Sequence, residues 1–226
     1  MDTTPDSEFP GIIFDLDGTL VDTLDDITEA INVLFEQRGL ETLSRRRVRA
    51  LIGQGLKHLI VLASGIEDAD RVTELVEAYR PLYTERMLNQ ARLYPGVAEM
   101  LDGLSRLASP MAILSNKRDE FTGPMCEALL GKWRFVSWQG TMNEEDRKPN
   151  PDSALKIADD LGRSTADVIF LGDSTTDVLT AQNAGMRSVA ATWGYRDLSE
   201  LEAANPDHII NHPSEFVAIV QSYGDR

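Results

Sequence analysis

Four short apolar runs in this chain break off directly into acids, hydroxyls, amides or glycines, and that arrangement limits the possible folds more than any other feature. They are Gly11–Phe14 ahead of Asp15-Leu16-Asp17-Gly18-Thr19, Met111–Leu114 ahead of Ser115-Asn116-Lys117, Val168–Leu171 ahead of Gly172-Asp173-Ser174, and Ser188–Ala191 ahead of Thr192-Trp193-Gly194-Tyr195. Runs this short, alternating with helical patterns, predict buried parallel strands in βα units. In open parallel sheets ligands gather beyond the carboxyl ends of the strands, which is where every one of these polar clusters falls. The expected fold class is α/β.

A different pattern fills residues 22–92. Ile27, Ala30, Ile31, Leu34 and Phe35 recur at helical spacing, with Gly39 as a stop. Ser44 suits the cap of a second helix carrying Val48, Leu51 and Ile52, ending near Gly53-Gln54-Gly55. Val72, Leu75, Val76 and Tyr79 form a later stripe, interrupted or kinked at Pro81. No strand-like alternation appears. The region reads as an all-helical insert on two linkers, hence a movable cap (22–92), with residues 1–21 and 93–226 forming the core.

At 226 residues the chain has room for one core and a small second module. Its formal net charge of -15 should repel nucleic acid and anionic membranes, so neither is an expected partner. No apolar run reaches the length of a membrane span, and the acidic start MDTTPDSEFP lacks the basic-then-apolar pattern of a signal peptide; a cytoplasmic location is expected. Cys126 is the only cysteine and reads as a small buried residue, so no intrachain disulfide can form. His58, His208 and His212 show no ligand or triad spacing, and Trp193 and Tyr195 are expected to pack beside the core rather than touch substrate. Monomer and homodimer are both left open.

The strand-end clusters carry chemistry. Asp15 and Asp17 lie close together on the first one, and paired carboxylates repel unless a cation sits between them. A hard, oxygen-seeking ion such as Mg²⁺ removes that cost. An ordinary turn leading to a helix cap at Asp22 or Thr23 is the competing explanation. Ser115 and Asn116 can donate to phosphate oxygens. Prolines at 149 and 151 hold the backbone extended beside Lys148 before a helix begins around Asp152. Asp173 and Asp177 add two more acids; helix capping accounts for Asp177 but less well for Asp173. In so acidic a protein, a phosphorylated substrate needs a metal and a few cations to reverse the field locally. Acids, hydroxyls and lysines converging on strand ends are the parts of a phosphoryl-transfer site.

DLDGTLVDT, LSNK, RKPNP and GDSTTDVLTAQNAG occur in that order, and the chain closely resembles the haloacid dehalogenase-like hydrolase superfamily. KPNPDSALKIADDLG, the TWGY segment and the helical region after the first motif place it near the phosphoglycolate phosphatase-like branch. The resemblance covers almost the whole chain and implies a Rossmann-like parallel-sheet core with a small all-helical cap inserted after the first strand. It implies Asp15 as nucleophile and Asp17 as general acid and base, whose pKa neighbouring acids and burial should raise. Mg²⁺ would be held by Asp15, the Asp17 carbonyl and Asp173, with Asp177 supporting or sharing the site. Ser115 and Lys148 would bind the transferring phosphoryl group, with Asn116 and Thr19 near it.

The expected activity is hydrolysis of a small phosphate monoester, phosphoglycolate-like as the best match. A β-phosphoglucomutase-like phosphomutase shares the four motifs and remains an alternative. A phosphonatase, with Lys57 as its cap lysine, ranks below it because such enzymes lack an acid at the position of Asp17. A non-catalytic phosphate-binding module is disfavoured because Asp15, Asp17 and Lys148 are all present. In the cap, Arg49, Gly53 and Lys57 flank the RALIGQGLK turn, where a cation could hold a substrate carboxylate; a solvated helix face explains them equally well.

Overall fold

The computed structural model describes residues 8–224, so nearly all of the acidic N-terminal stretch lies outside the described residues. Along the chain come β1 (Gly11–Phe14), β2 (Val21–Asp22), α1 (Leu24–Gln37), α2 (Arg45–Leu51), α3 (Leu56–Ser64), α4 (Ala69–Arg86) and β3 (Arg92–Leu93). Then follow α5 (Val97–Arg106), β4 (Met111–Arg118), α6 (Asp119–Leu130), β5 (Ser137–Thr141) and α7 (Asp152–Asp160). The chain closes with β6 (Val168–Gly172), α8 (Thr175–Ala184), β7 (Arg187–Ala191), α9 (Leu198–Ala203), β8 (His208–Ile210) and α10 (Pro213–Gly224).

Among the described residues, a six-stranded sheet runs β5-β4-β1-β6-β7-β8 with every neighbouring pair parallel. Numbered by their place in the core this is the 3-2-1-4-5-6 order of a Rossmann-like sheet, whose direction of growth reverses beside β1. The expected α/β class therefore holds. β1 is buried on both faces because both carry helices. Ile12 and Phe14 pack toward Leu101, Leu104 and Phe216, whereas Ile13 joins Leu114, Ile157 and Phe170 on the other side. That is the two-residue side-chain period of a strand with two dry faces. Phe14 meets Phe216 edge-on, ring centroids 5.9 Å apart.

The sheet is larger than the apolar runs suggest. β5 (Ser-Trp-Gln-Gly-Thr) is too polar to stand out and lies at one edge, and β8 at the other edge has only 3 residues. β4 does not stop at Leu114 either; it continues through Ser115-Asn116-Lys117-Arg118, with its register against β5 shifting between Leu114 and Arg118. That irregularity places the polar end of the strand at the sheet's carboxyl edge.

Helices α1 to α4 occupy the chain between β2 and β3. Ser44 caps α2 as expected, its hydroxyl accepting from the Arg47 N–H at 3.2 Å. α4 runs straight through Pro81 instead of ending there. α3, which no periodicity announced, starts at Gly55 and stops at Gly65 in the left-handed conformation. Entry to and exit from this layer lie side by side, because β2 and β3 pair antiparallel with Val21 opposite Leu93 and Asp22 opposite Arg92. No helix among the described residues is long and apolar enough to cross a membrane.

Asp26 on α1 fastens the exit strand. Its carboxylate is fully buried and accepts from the N–H groups of Gln90 (3.0 Å) and Ala91 (2.9 Å). Alanine there removes the acceptor of two part-buried N–H groups, and a hydrogen bond to a charged group is worth about 1.5–3 kcal/mol. Asp26→Ala is expected to lower stability in urea unfolding by ~2–4 kcal/mol, while Asp26→Asn, which keeps one acceptor oxygen, loses less. Equal stability of all three proteins would contradict this role.

Candidate active site

Asp15 follows β1, Ser115 lies in β4 and Asp173 follows β6, so the three central strands bring them together at one edge. The Asp15 N–H donates to the Leu171 carbonyl at 2.9 Å, which carries the sheet pairing one residue past the strand. Lys148 reaches in from the loop before α7. Its buried Nζ donates to Asp15 Oδ1 at 2.7 Å, to Asp177 Oδ1 at 2.6 Å and to the Leu114 carbonyl at 3.0 Å. Asp177 serves two purposes: its other oxygen accepts from the Ser174 N–H (3.1 Å) in a capping box that starts α8. The capping role expected of Asp177 is thus real, and so is its place in the cluster.

Asp173 has no cation at hydrogen-bond distance among the described residues. It accepts from the Tyr195 N–H (2.5 Å) and, weakly, from the Thr19 hydroxyl (3.5 Å). Glycines let the backbone close around it. A Cβ on Gly18, whose φ is +93°, or on Gly194 would collide with the Asp173 carboxylate. Burial drives the Asp173 carboxyl well above its usual range, helped by the charges of Asp15 and Asp177. Burial likewise pushes Asp15 up to about 7 despite the opposing pull of Lys148. For Lys148, burial works against the charge, but Asp15 and Asp177 outweigh it and raise its pKa above the ordinary lysine value.

Oxygens of Asp15, Asp173 and Asp177 lie within 4.8 Å of one another, all buried. Three carboxylates facing one ammonium leave an excess of negative charge that burial makes expensive. An all-oxygen donor set of this kind fits a hard divalent cation. The site can therefore hold such an ion.

Asp17 points away from that cluster. Its two oxygens accept from Lys117 Nζ at 3.0 and 2.9 Å, and Oδ1 also accepts from the Thr23 hydroxyl at 2.7 Å. The Tyr195 hydroxyl accepts from the Thr23 N–H at 3.0 Å, so one side chain braces the start of the helical layer and its own N–H braces Asp173. Tyr195 also lines the cavity above Asp15, contrary to the expectation that it would only pack beside the core; Trp193, which donates to the Thr19 carbonyl at 3.0 Å, does pack there.

The roof of this cavity is the Gly53–Leu56 loop with the apolar faces of α1, α3 and α4. Core side chains clasp the loop. Asn116 Nδ2 donates to the Gly53 carbonyl at 3.0 Å, and the Arg196 guanidinium donates to the carbonyls of Arg49 (3.2 Å) and Ile52. Asn116 also pins the Lys148 backbone, accepting from its N–H at 2.8 Å. Its amide is spent on backbone groups, so it orients Lys148 and the loop rather than offering a free donor to phosphate. Ser115 lines the cavity, whereas Thr19 lies behind Asp173, outside the lining.

Of the cap residues expected beside the substrate, only Gly53 lines the cavity over Asp15. Arg49 turns toward the core, donating to the Gly194 carbonyl (3.2 Å) and pairing with Asp197 (3.6 Å), and Lys57 borders a separate depression shared with Val72 and Arg147. Neither lines the cavity above Asp15, because a helix shows only one face to the interior and both fall on another. Lys117, Tyr83 and Arg196 were not singled out in the sequence, although Lys117 stands inside the SNK motif itself.

A family model described as haloacid dehalogenase-like hydrolase matches residues 12–191. The "Phosphoglycolate phosphatase" of Xanthomonas campestris pv. campestris strain 8004 is 32% identical over 189 residues, covering 83% of this chain and 86% of the relative. "Probable phosphatase IndB" of Dickeya dadantii is 35% identical over 213 residues, 92% of each protein. A crystal structure described as a predicted phosphoglycolate phosphatase from Haemophilus somnus 129pt superposes with a TM-score of 0.85 at 27% identity, covering 95% of this chain and 99% of that one.

With Asp15 lifted from 3.8 to about 7, the metal-free folded protein binds this proton more tightly than the unfolded chain does. Its stability is then highest below the ordinary aspartate pKa and falls as pH rises toward 7. A divalent cation must displace the proton, so its stabilising effect grows across the same window. Mg²⁺ at roughly 100 times its pH 7.5 dissociation constant should raise the melting temperature by about 5–10 °C at pH 7.5, and the same concentration should raise it far less at pH 5. An equal shift at both pH values, or none, would contradict the metal assignment.

Proposed function

The chain belongs to the haloacid dehalogenase-like hydrolases, in the phosphoglycolate phosphatase-like branch, and from that premise we propose a magnesium-dependent phosphatase that forms an aspartyl-phosphate on Asp15. The observation that carries this reading is the buried Asp15 carboxylate held at 2.7 Å by Lys148 beside Asp173, which has no cation at hydrogen-bond distance among the described residues. An acid placed so that its charge is compensated while its second oxygen faces a cavity suits a nucleophile.

In the first step an Asp15 oxygen bonds to phosphorus as the ester P–O bond breaks, and Asp17 gives its proton to the departing alkoxide. In the second, Asp17 takes a proton from water, the water oxygen bonds to phosphorus, and the Asp15–phosphorus bond breaks to release phosphate. Lys148 and Ser115 face the equatorial oxygens, where negative charge accumulates. Asp15, Asp173 and the Asp17 carbonyl, with support from Asp177, would hold Mg²⁺, which when bound would supply charge neutralisation between the carboxylate and the incoming phosphate. Residues 22–92 act as the cap, moving on the β2–β3 ribbon to admit substrate and exclude water. The substrate is a small phosphorylated metabolite, with 2-phosphoglycolate the best reading given what the relatives are called. Nucleic acid and membranes play no part, and the cytoplasm is the proposed location.

Asp15→Asn should lower turnover of 2-phosphoglycolate to background, and Lys148→Ala should cost about 10²–10³ in kcat. Borohydride reduction during turnover should convert Asp15 into homoserine, readable as a peptide mass change in wild type and absent in Asp15→Asn. Full turnover by Asp15→Ala would overturn the mechanism.

A further inference from the structure

Lys117 is the cavity-lining cation whose one acidic partner among the described residues, Asp17, is also the proposed general acid. Of the others, Lys148 is committed to Asp15, Asp177 and the Leu114 carbonyl, Arg196 to the carbonyls of Arg49 and Ile52, and Arg118 to Glu120 at 2.8 Å. Lys117 Nζ, its side chain only 5% exposed, is held by both oxygens of Asp17 at 2.9 and 3.0 Å. While that bidentate pair persists, both Asp17 oxygens are turned to the ammonium rather than to a leaving-group oxygen.

Asp17 does have somewhere to detach from. Thr23 keeps one oxygen at 2.7 Å, and the Tyr83 ring lies beneath the Lys117 ammonium, 4.7 Å from centroid to Nζ. A cation seated on an aromatic face keeps part of its stabilisation when its carboxylate departs. The Tyr83 hydroxyl is buried without a hydrogen-bond partner among the described residues, and Tyr83 lines the same cavity. Otherwise the wall here is apolar, with Ile27, Leu59 and Phe121. A second anionic group on the substrate finds no free cation on that wall unless Lys117 is released to it.

We propose that Lys117 is the receptor for a carboxylate on the substrate's leaving group, and that it exchanges Asp17 for that carboxylate when substrate binds. This rests on the phosphatase reading of Asp15 and deepens it. The exchange swaps one carboxylate for another on the same ammonium, so the charge on Lys117 stays balanced throughout. It also frees Asp17 to take up a proton from solvent and pass it to the leaving oxygen only when the correct leaving group is present, coupling recognition to proton donation. The substrate class is a phosphate monoester with a carboxylate close to the ester oxygen. Arg49 and Lys57, the cations the sequence offered for this task, do not line the cavity over Asp15.

The test compares 2-phosphoglycolate with ethyl phosphate, which lacks the carboxylate, in the presence of Mg²⁺. Wild type should favour 2-phosphoglycolate in kcat/KM, and Lys117→Met should reduce that preference about 10- to 100-fold, the worth of a charge-assisted hydrogen bond to a buried group. Lys117→Arg should keep most of it. If Lys117 only positioned Asp17, both substrates would lose the same factor and the ratio would stand, which overturns the proposal. Calorimetry on Asp17→Asn, where chemistry is stalled, gives a second reading. Without its competitor, Lys117 should bind 2-phosphoglycolate more tightly relative to ethyl phosphate than in wild-type protein, and adding Lys117→Met should abolish the gain. An unchanged binding ratio also overturns it, even in a preparation that hydrolyses nothing. Absence of all turnover with both esters in wild type would instead count against the phosphatase reading.

Discussion

The ammonium of Lys148, buried between Asp15 and Asp177, is the interaction on which the catalytic end of this protein is built. Three largely buried carboxylates meet there, Asp15 and Asp173 at the mouths of β1 and β6 and Asp177 on α8, and the ammonium offsets their mutual repulsion. Breaking one arm of such a pair leaves a buried charge uncompensated, which is far costlier than never having placed it there. Everything nearby serves that lysine. Asn116 pins its backbone, the Ser174–Asp177 capping box fixes one partner, and the sheet pairing of Asp15 fixes the other. The same acids that make Lys148 necessary leave room for a second cation beside Asp173.

The helical layer is joined to this cluster by polar contacts at its loop and by aromatic ones at its base. Asn116 and Arg196 grip the backbone of the turn around Gly53, while Tyr83 on α4 meets Phe121 on α6 edge-on at 5.0 Å. Arg80 and Glu120 add an ion pair across the same seam. Backbone carbonyls are the acceptors in the loop contacts, so the grip depends on where the turn runs and not on which side chains it carries. Gly53 and Gly55, at φ +115° and +82°, keep the turn on that course.

How much of this could be read from the sequence differs by the physics involved. β1 and β6 were legible because strands buried on both faces are continuous apolar runs, and the acids after them stand out against that background. β5 and β8 were not, since an edge strand needs only one dry face and β5 carries polar residues throughout. α3 was hidden because its sequence LKHLIVLAS is too apolar to show a one-sided stripe, whereas α4 takes up Pro81 without being interrupted. Asp15, Asp173 and Lys148 were found through motifs whose spacing tracks strand ends. Lys117 was overlooked inside one of those motifs because its role depends on β4 continuing past Leu114, which the polar sequence there conceals. Arg49 and Lys57 show the converse: charge near a predicted turn says nothing about which way a helix face points.

One further consequence lies in the two-residue ribbon formed by β2 and β3. Because Val21 sits opposite Leu93, the chain leaves the sheet layer and returns to it at nearly the same point. To the parallel sheet, the whole helical layer is topologically equivalent to a short hairpin loop. Its length and content can be rewritten without disturbing strand order, register or the acids at the strand ends. A fold arranged this way behaves as a socket whose fitting can be exchanged while the strand order of the socket stays intact.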